Sequence, residues 1–486
     1  MRTQRLVTLV LFLITAACTP QPTEGEGETR EGEGEEGEGE EGEGEEGEGE
    51  EGDIFDLLDD RFAFVEEIEA QNPGTRAFNL YLEQPVDHDD PDGETFLQWA
   101  VLVHTDATAP MILNHTGYSL FPEYTQLPEE LTSLLSANQV QVEHRFFGIS
   151  VPDAFDAADW EQLTVRNAAA DAHRFVEVLK PIYGARWLET GHSKGGMTSV
   201  FHASLFPNDV DGVVAYVAPI SFAINDERGR AFFDTIGDPG CRETVQAQQR
   251  AAAAQRDELL AIMRDARPDV DVAVHESNLA ATIGSFEWGF WQFYADCSLL
   301  GEFALAGPTA EETAELLGLR FLITDDLSFL PYSYQVLNEL GQPNQLSPHL
   351  DDVFGDVNVD PLSPYGAVPF ARAVPYDGGA QMTAIAEHVA SHDRFLFVYG
   401  GYDPWSQVPF TVGTADSHRF VAPAANHAAL MIDLDVADRT VAFDAVSRWA
   451  GVTDAAFSVG SVDVDAWRAR MADRRAWLAS RVGLRP

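Results

Sequence analysis

Gly191-His192-Ser193-Lys194-Gly195 is the stretch that decides the fold. The pattern is G-x-S-x-G, and its setting carries more than its letters. Ala185–Thr190 before it is a short run of strand character, and Lys194–Phe206 after it reads as a helix. A serine on a sharp strand-to-helix turn is held in a strained conformation that exposes its Oγ, and the flanking glycines let the backbone close without Cβ clashes. Gly196 then permits close packing of helix on sheet. The reading is a nucleophile elbow with Ser193 at its apex, set against a glycine-rich turn with an incidental serine.

Outward from the elbow, strand-like and helical runs alternate, as in a mostly parallel sheet. Phe96–His104 is an early strand. Met111-Ile112-Leu113 is a short apolar run that stops at Asn114-His115-Thr116-Gly117, and Gln139–Phe147 is another strand. Ala168–Leu179 has helical periodicity, Gly212–Ala218 is a Val-rich buried strand, and Arg394–Tyr399 a late one. From about Asn225 to His392 the rhythm changes to long helical stretches. Arg242–Ala266 reads as one helix with an alanine-rich middle, and Thr309-Ala310-Glu311-Glu312 as a capping box opening another. The expected architecture is therefore an α/β-hydrolase fold: core residues 54–224, a helical cap insertion over 225–392, and a second core part with C-terminal helices over 393–486.

A serine hydroxyl needs a base, and the base an orienting carboxylate, in the chain order Ser, acid, His. Asp403 lies in Gly400-Gly401-Tyr402-Asp403-Pro404-Trp405, the loop closing the late strand, and is the expected acid, with Asp416 as the alternative. Two histidines follow. His427 sits in the small-residue loop Pro423-Ala424-Ala425-Asn426-His427-Ala428-Ala429 and is the expected base; His418 reads as a strand-edge residue, and His192 as a packed residue of the elbow. The backbone N–H of Lys194 is the expected first oxyanion donor, and the N–H of Gly117 or Tyr118 the second. Lys194 is one of only two lysines beside 28 arginines, and its side chain is expected in an ion pair beside the elbow.

The formal net charge of −50 excludes nucleic acid and anionic headgroups as partners. Glu24–Asp53 holds sixteen Glu, one Asp and one Arg, a net −16, which leaves −34 on the rest. This Glu-Gly repeat has nothing apolar to bury before its end and is expected to be an extended tether spanning on the order of 30 Å. Ahead of it, Arg2 and Arg5, the apolar run Leu6–Ile14 and Thr15-Ala16-Ala17-Cys18 read as an export signal, too short to span a bilayer. The pattern resembles a bacterial lipoprotein signal, although Thr15 stands where Leu is usual. Residues 1–18 are thus the expected signal, Cys18 the lipidated residue and 19–53 the tether, giving an exported, envelope-anchored protein that meets the membrane only through its lipid. With Cys18 so used, Cys241 and Cys297 remain as an even pair for an oxidising compartment and are expected to form a disulfide. No metal-ligand spacing, phosphate loop or dinucleotide fingerprint occurs, and no cofactor is expected.

Several motifs together carry a resemblance. They are Gln84-Pro85-Val86-Asp87-His88, Glu143-His144-Arg145-Phe146-Phe147-Gly148, Gly191 through Thr198, Phe290-Trp291-Gln292, Pro331-Tyr332-Ser333-Tyr334-Gln335, and Tyr402 through Ser406 with Asn426-His427. In this order, over roughly Phe78 to Trp449, the chain resembles the bacterial secreted tripeptidyl aminopeptidases, serine peptidases related more distantly to prolyl carboxypeptidase and dipeptidyl peptidase II. The resemblance implies Ser193, Asp403 and His427 as a triad, a helical cap, and release of short peptides from N-termini, often after proline. An exopeptidase of that kind needs a carboxylate for the substrate ammonium. Glu143 is a candidate, against a structural ion pair with Arg145; Trp291 and Trp405 are candidate walls of a proline pocket, against cap core. Two other classes remain open at this point, a carboxylesterase or lipase on the same fold and a non-catalytic surface lipoprotein.

Overall fold

In the computed structural model the described residues form eleven strands. Residues 52–152, 159–298, 305–321, 328–363, 376 and 378–452 are described; the signal, Cys18, nearly all of the tether and the last part of the C-terminal segment lie outside them. The strands are β1 (Phe64–Ile68), β2 (Arg76–Pro85), β3 (Thr95–His104), β4 (Met111–His115), β5 (Asn138–Val142), β6 (Trp187–His192), β7 (Gly212–Tyr216), β8 (Ile224–Asp226), β9 (Gln342–Pro343), β10 (Phe395–Gly400) and β11 (His418–Ala422). Nine form one sheet in the order β1-β2-β3-β5-β4-β6-β7-β10-β11. β1, β2 and β3 pair antiparallel, β3 meets β5 antiparallel, and everything beyond β5 is parallel. This is the sheet of an α/β-hydrolase.

β4, β5, β7 and β10 are buried along their whole length, as strands covered on both faces must be. One face is covered by Val165–Leu179, Lys194–Leu205 and Gly378–Ser391. In the last of these Met382, Ile385 and Val389 join Val213, Phe395 and Phe397 in a single cluster. That helix falls inside the stretch read as cap, yet it flanks the sheet. The other face is covered by Val436–Ala450, with Phe443, Val446 and Trp449 against Leu188, Val214 and Leu396.

Two elements depart from expectation for stated reasons. β5 ends at Val142 and not Phe147, because Phe146 (φ 68) and Gly148 (φ 55) turn the chain out of the sheet. The single helix expected over 242–266 is two, Pro239–Ala253 and Arg256–Ala266. Alanine favours helix so evenly that composition marks no break there. The region between β7 and β10 otherwise has its own core, with Val245, Leu259, Met263, Leu279, Phe286, Trp288 and Trp291. It also holds the short parallel pair β8–β9, a strand pairing the periodicity did not signal. Cys241 and Cys297 are bonded across this region, with Cα atoms 5.5 Å apart.

Candidate active site

Ser193 stands between β6 and the helix Lys194–Leu205 with φ 56 and ψ −122, a conformation costly for a residue with a side chain. Its neighbours explain how the turn closes. A Cβ on Gly191 would lie 2.4 Å from the Gly195 carbonyl carbon, and one on Gly195 would lie 2.1 Å from the His115 carbonyl oxygen. Glycine at both positions is therefore a steric requirement, and the end of β4 is brought against the first turn of the helix.

Parallel pairing does the rest. β6, β7, β10 and β11 are successive neighbours, so the loops leaving β10 and β11 emerge at the same sheet end as the elbow. Asp403 follows β10 and is fully buried. Its Oδ2 accepts from the Ser406 hydroxyl at 2.6 Å, and its Oδ1 from the Trp405 N–H at 3.2 Å. Nδ1 of His427 lies 3.0 Å from Oδ2, but its N–H is not aligned on the carboxylate. We read the pair from the distance, since such hydrogen bonds are often poorly aligned before substrate binds. With Nδ1 on the acid, Nε2 is the nitrogen available to Ser193.

The histidine loop is held from above by the aromatic helix Phe286–Phe293. The His427 N–H donates to the Gln292 carbonyl at 3.0 Å, and Asn426 Nδ2 to the Phe293 carbonyl at 2.8 Å. Trp288 meets Trp405 edge-on at 5.3 Å, and Trp291 meets Tyr402 at 5.9 Å. Trp291 is 1% exposed and belongs to the cap core, while Trp405 is partly exposed and flanks His427, ring centroids 6.4 Å apart.

Glu143 is not placed to receive a substrate. It is 1% exposed, and its carboxylate accepts from the N–H groups of Leu120, Ile149 and Ser150 and from the Ser150 hydroxyl. Burial pushes its pKa up to about 7 against those bonds. Nor does it pair with Arg145. That guanidinium grips Asp171 through Nε and Nη2 at 2.7 and 2.6 Å and donates to the carbonyls of Pro85, Val86 and Gln162. Glu143 therefore ties down the turn after β5, and Asp171 is the partner that sequence reasoning missed. Glu129, 4% exposed, lines a recess of about 150 Å³ beside the elbow together with Asn114, Tyr118 and His192; it accepts from Asn114 Nδ2 at 3.0 Å, and His192 Nε2 lies 3.7 Å from its other oxygen.

Lys194 differs from expectation in a similar way. Its ammonium is buried, donates to the Gly117 carbonyl, and lies 5.4 and 4.9 Å from the ring centroids of Tyr118 and Phe147. No carboxylate pairs with it among the described residues, and burial draws its pKa well below the usual lysine range. Its backbone N–H, at the first helical position, has no intrahelical acceptor and is free for an oxyanion. In the facing loop the Tyr118 N–H is already given to Thr116 Oγ1 at 3.2 Å. Asp416 and His418 lie at the opposite end of the sheet: Asp416 binds Arg448 and Trp449 Nε1, and His418 stacks beside Phe420. His192 stacks on Tyr216 at 4.5 Å, a packing role.

One further cluster lies beneath the elbow. His115 Nε2 and His202 Nδ1 converge on Glu189 Oε1 at 2.5 and 2.9 Å; His202 Nε2 and His173 Nδ1 converge on Asp209 Oδ2 at 3.0 and 2.6 Å. No residue spacing marks a metal site, but the donor atoms of His115, Glu189 and His202 lie within 4.8 Å of one another. They are already joined by hydrogen bonds, so the set reads as a buried charge chain tying β4, β6 and the elbow helix. Burial opposes the charge on His202, yet Glu189 and Asp209 outweigh it and push its pKa up to about 9. Burial likewise raises Glu189, and the two histidines outweigh it and hold that carboxylate below its ordinary range.

Comparison with known proteins agrees with this chemistry. The family model described as PS-10 peptidase S37 matches residues 53–475. Over 416 residues the chain is 35% identical to the prolyl tri/tetrapeptidyl aminopeptidase of Streptomyces mobaraensis, covering 80% of this chain and 83% of that one. Shorter matches are to a thymus-specific serine protease of Mus musculus, 31% identical over 168 residues (32% of this chain, 33% of the other), and to prolyl carboxy peptidase like protein 5 of Caenorhabditis elegans, 30% identical over 196 residues (37% and 34%).

Proposed function

The chain belongs to peptidase family S37, the PS-10 serine peptidases, and from that premise we propose that it releases tripeptides, often after proline, from the N-termini of peptides. Ser193 Oγ attacks the carbonyl of the third residue while His427 takes its proton and Asp403 holds the imidazole in place. The Lys194 N–H receives the negative oxygen. Collapse of the adduct breaks the C–N bond, His427 returns the proton to the leaving amine, and water then hydrolyses the acyl-enzyme.

One observation supports the catalytic reading above the rest. A serine at φ 56 and an Asp403–His427 pair at 3.0 Å converge on one sheet end, under a cap helix whose carbonyls hold the histidine loop. The N-terminal and prolyl parts rest on the likeness to the Streptomyces mobaraensis enzyme. Glu129, bordering the recess beside the elbow, is our choice for the ammonium ligand. Export and lipid anchoring through Cys18 belong to the same proposal and rest on Arg2, Arg5 and the run to Cys18.

Product masses test it. A peptide beginning Xaa-Xaa-Pro should lose its first three residues as one fragment, and Ser193→Ala should release none. Internal fragments would make the protein an endopeptidase, and turnover of short-chain esters alone would make it a carboxylesterase.

A further inference from the structure

The segment bearing His427 is held on two sides, and the second lies outside the cap. Past the histidine the chain makes a short turn, Met431–Asp433. The Leu430 N–H goes to Asp433 Oδ2 at 3.1 Å, and the Asp433 N–H to the Leu430 carbonyl at 3.1 Å. Met431 and Ile432 are buried, and their N–H groups go elsewhere: both donate to Glu130, to Oε2 at 3.0 Å and to Oε1 at 2.9 Å. Glu130 opens the helix Glu130–Leu135 and is 3% exposed, so its oxygens depend on such donors. A third donor comes from the nucleophile's side, where the Tyr216 hydroxyl reaches Oε2 at 2.7 Å. Tyr216 is the last residue of β7; its carbonyl accepts the Ser193 N–H at 2.9 Å, and its ring stacks on His192 at 4.5 Å. One carboxylate thus touches both the segment leaving His427 and the residue that anchors the backbone of Ser193.

We infer that Glu130 is a positioning residue for the reaction, setting the spacing of Ser193 and His427 by joining the histidine segment to the end of β7. The inference rests on Ser193 as nucleophile and His427 as base. A proton passes from Oγ to the imidazole only across a short, aligned gap, and a displacement of about 1 Å can cost about 10² in rate. The elbow is fixed by its own backbone, with no room for a Cβ at Gly191 or Gly195. The histidine loop instead depends on what grips it at either end. The cap helix grips the near end, through the N–H of His427 and the side chain of Asn426, and Glu130 grips the far end. Removing that grip should therefore slow the chemical step and leave substrate affinity alone.

Glu130→Gln keeps the volume but turns an amide nitrogen, a donor, toward three donors, so at least one of the bonds is lost. On an Xaa-Xaa-Pro amide, kcat of the folded variant should fall by roughly 10–100-fold, with KM within about threefold. Labelling of Ser193 by a fluorophosphonate, which needs the same proton transfer, should slow by a similar factor. Tyr216→Phe removes one donor and keeps the ring stack; its kcat should fall by about fivefold, and it decides the matter if the glutamine variant does not fold. The two substitutions together should cost less than the product of their separate effects, because both act through one carboxylate. A Glu130→Gln kcat within threefold of the unsubstituted enzyme, with only a lower unfolding temperature, would make the residue merely structural and overturn the inference. So would a Tyr216→Phe kcat within twofold, or effects of the two that simply multiply. A loss confined to KM would place the effect on the neighbouring Glu129 and its recess, and would overturn it as well. The fluorophosphonate also separates this from the parent reading: failure to label Ser193 in the unsubstituted enzyme would sink the nucleophile assignment and the role of Glu130 with it, whereas an unchanged labelling rate in Glu130→Gln would sink only the latter.

Discussion

The elbow and the cap helix Phe286–Phe293 face the same histidine, yet they do so by different means. At the elbow the backbone carries the design. Ser193 sits at φ 56, the glycines at 191 and 195 fit where no Cβ can, and the Lys194 N–H is left over because a helix begins there. In the cap helix the side chains are core: Trp288 and Trp291 are buried, and the contribution to the site comes from the carbonyls of Gln292 and Phe293. The elbow is expected to trade stability for chemistry, and the cap helix to supply position.

Substitutions at Ser193 should show the larger effect. Ser193→Ala should lower amide turnover by about 10⁴-fold or more, and adding His427→Ala should cost little further, because triad members act as a unit. Ser193→Gly should be as inactive but more stable, by about 1 kcal/mol, since glycine adopts φ 56 without the strain. A glycine variant no more stable than the alanine one would remove the strain half of the contrast.

Opening the disulfide addresses the cap. Cys241→Ser with Cys297→Ser frees a loop of 56 residues' separation, worth about 4 kcal/mol in the chain-entropy model. Thermal unfolding should move down accordingly, while kcat/KM of the folded variant stays within tenfold. A collapse of activity at full folding would mean that the cap takes a more direct part in the chemistry. A smaller effect is expected where the two regions touch. Asn426→Ala removes one hydrogen bond between cap and histidine loop, and a net value of about 1 kcal/mol predicts a fall in kcat/KM of about fivefold with little change in unfolding temperature.

The charge chain under the elbow gives a pH test with a definite sign. His202 has a folded pKa of about 9, above the ordinary imidazole value of about 6.5, so its contribution is full below 6.5 and is lost as pH rises through 9. Glu189, held low, contributes above the ordinary carboxylate range and loses its share as pH falls. Glu130, Glu143 and Glu287, all pushed up to about 7 by burial, lose stability between their ordinary carboxylate values and 7, and are ionised above that. The window from about pH 7.5 to 9.5 therefore isolates His202 from these glutamates. Lys194, whose burial holds its pKa well below the usual lysine range, gains stability as pH rises through this window, so the test is a difference: the unsubstituted protein should lose more unfolding temperature across it, or gain less, than His202→Asn. An equal change in that variant would assign the effect elsewhere.

The same contrast explains what the sequence disclosed. The elbow, its flanking strand and helix, and the loops bearing Asp403 and His427 were legible because each is encoded by a few adjacent residues with fixed backbone demands. Glu143 was misread because its partners are N–H groups of Leu120 and Ile149, which carry no side-chain signal. Arg145 was given the nearest acidic residue, but finds Asp171 on a helix 26 residues away in sequence. The break at Ala254 and Gln255 and the packing of Gly378–Ser391 on the sheet are tertiary facts of the same kind. Ser406, which holds Asp403, had a signal in hand: a hydroxyl three residues past an acid that caps the turn.

Entry of substrates by a free N-terminus can be checked with one pair of substrates. The rate on an Xaa-Xaa-Pro amide is measured with its amine free and with the amine acetylated. A charge-assisted hydrogen bond to the substrate ammonium is worth roughly 1.5–3 kcal/mol, and acetylation removes it. Acetylation should lower kcat/KM by at least tenfold. Equal rates on the two substrates would mean an open cleft with no ammonium site, and would contradict the exopeptidase assignment while leaving the Ser193 chemistry intact.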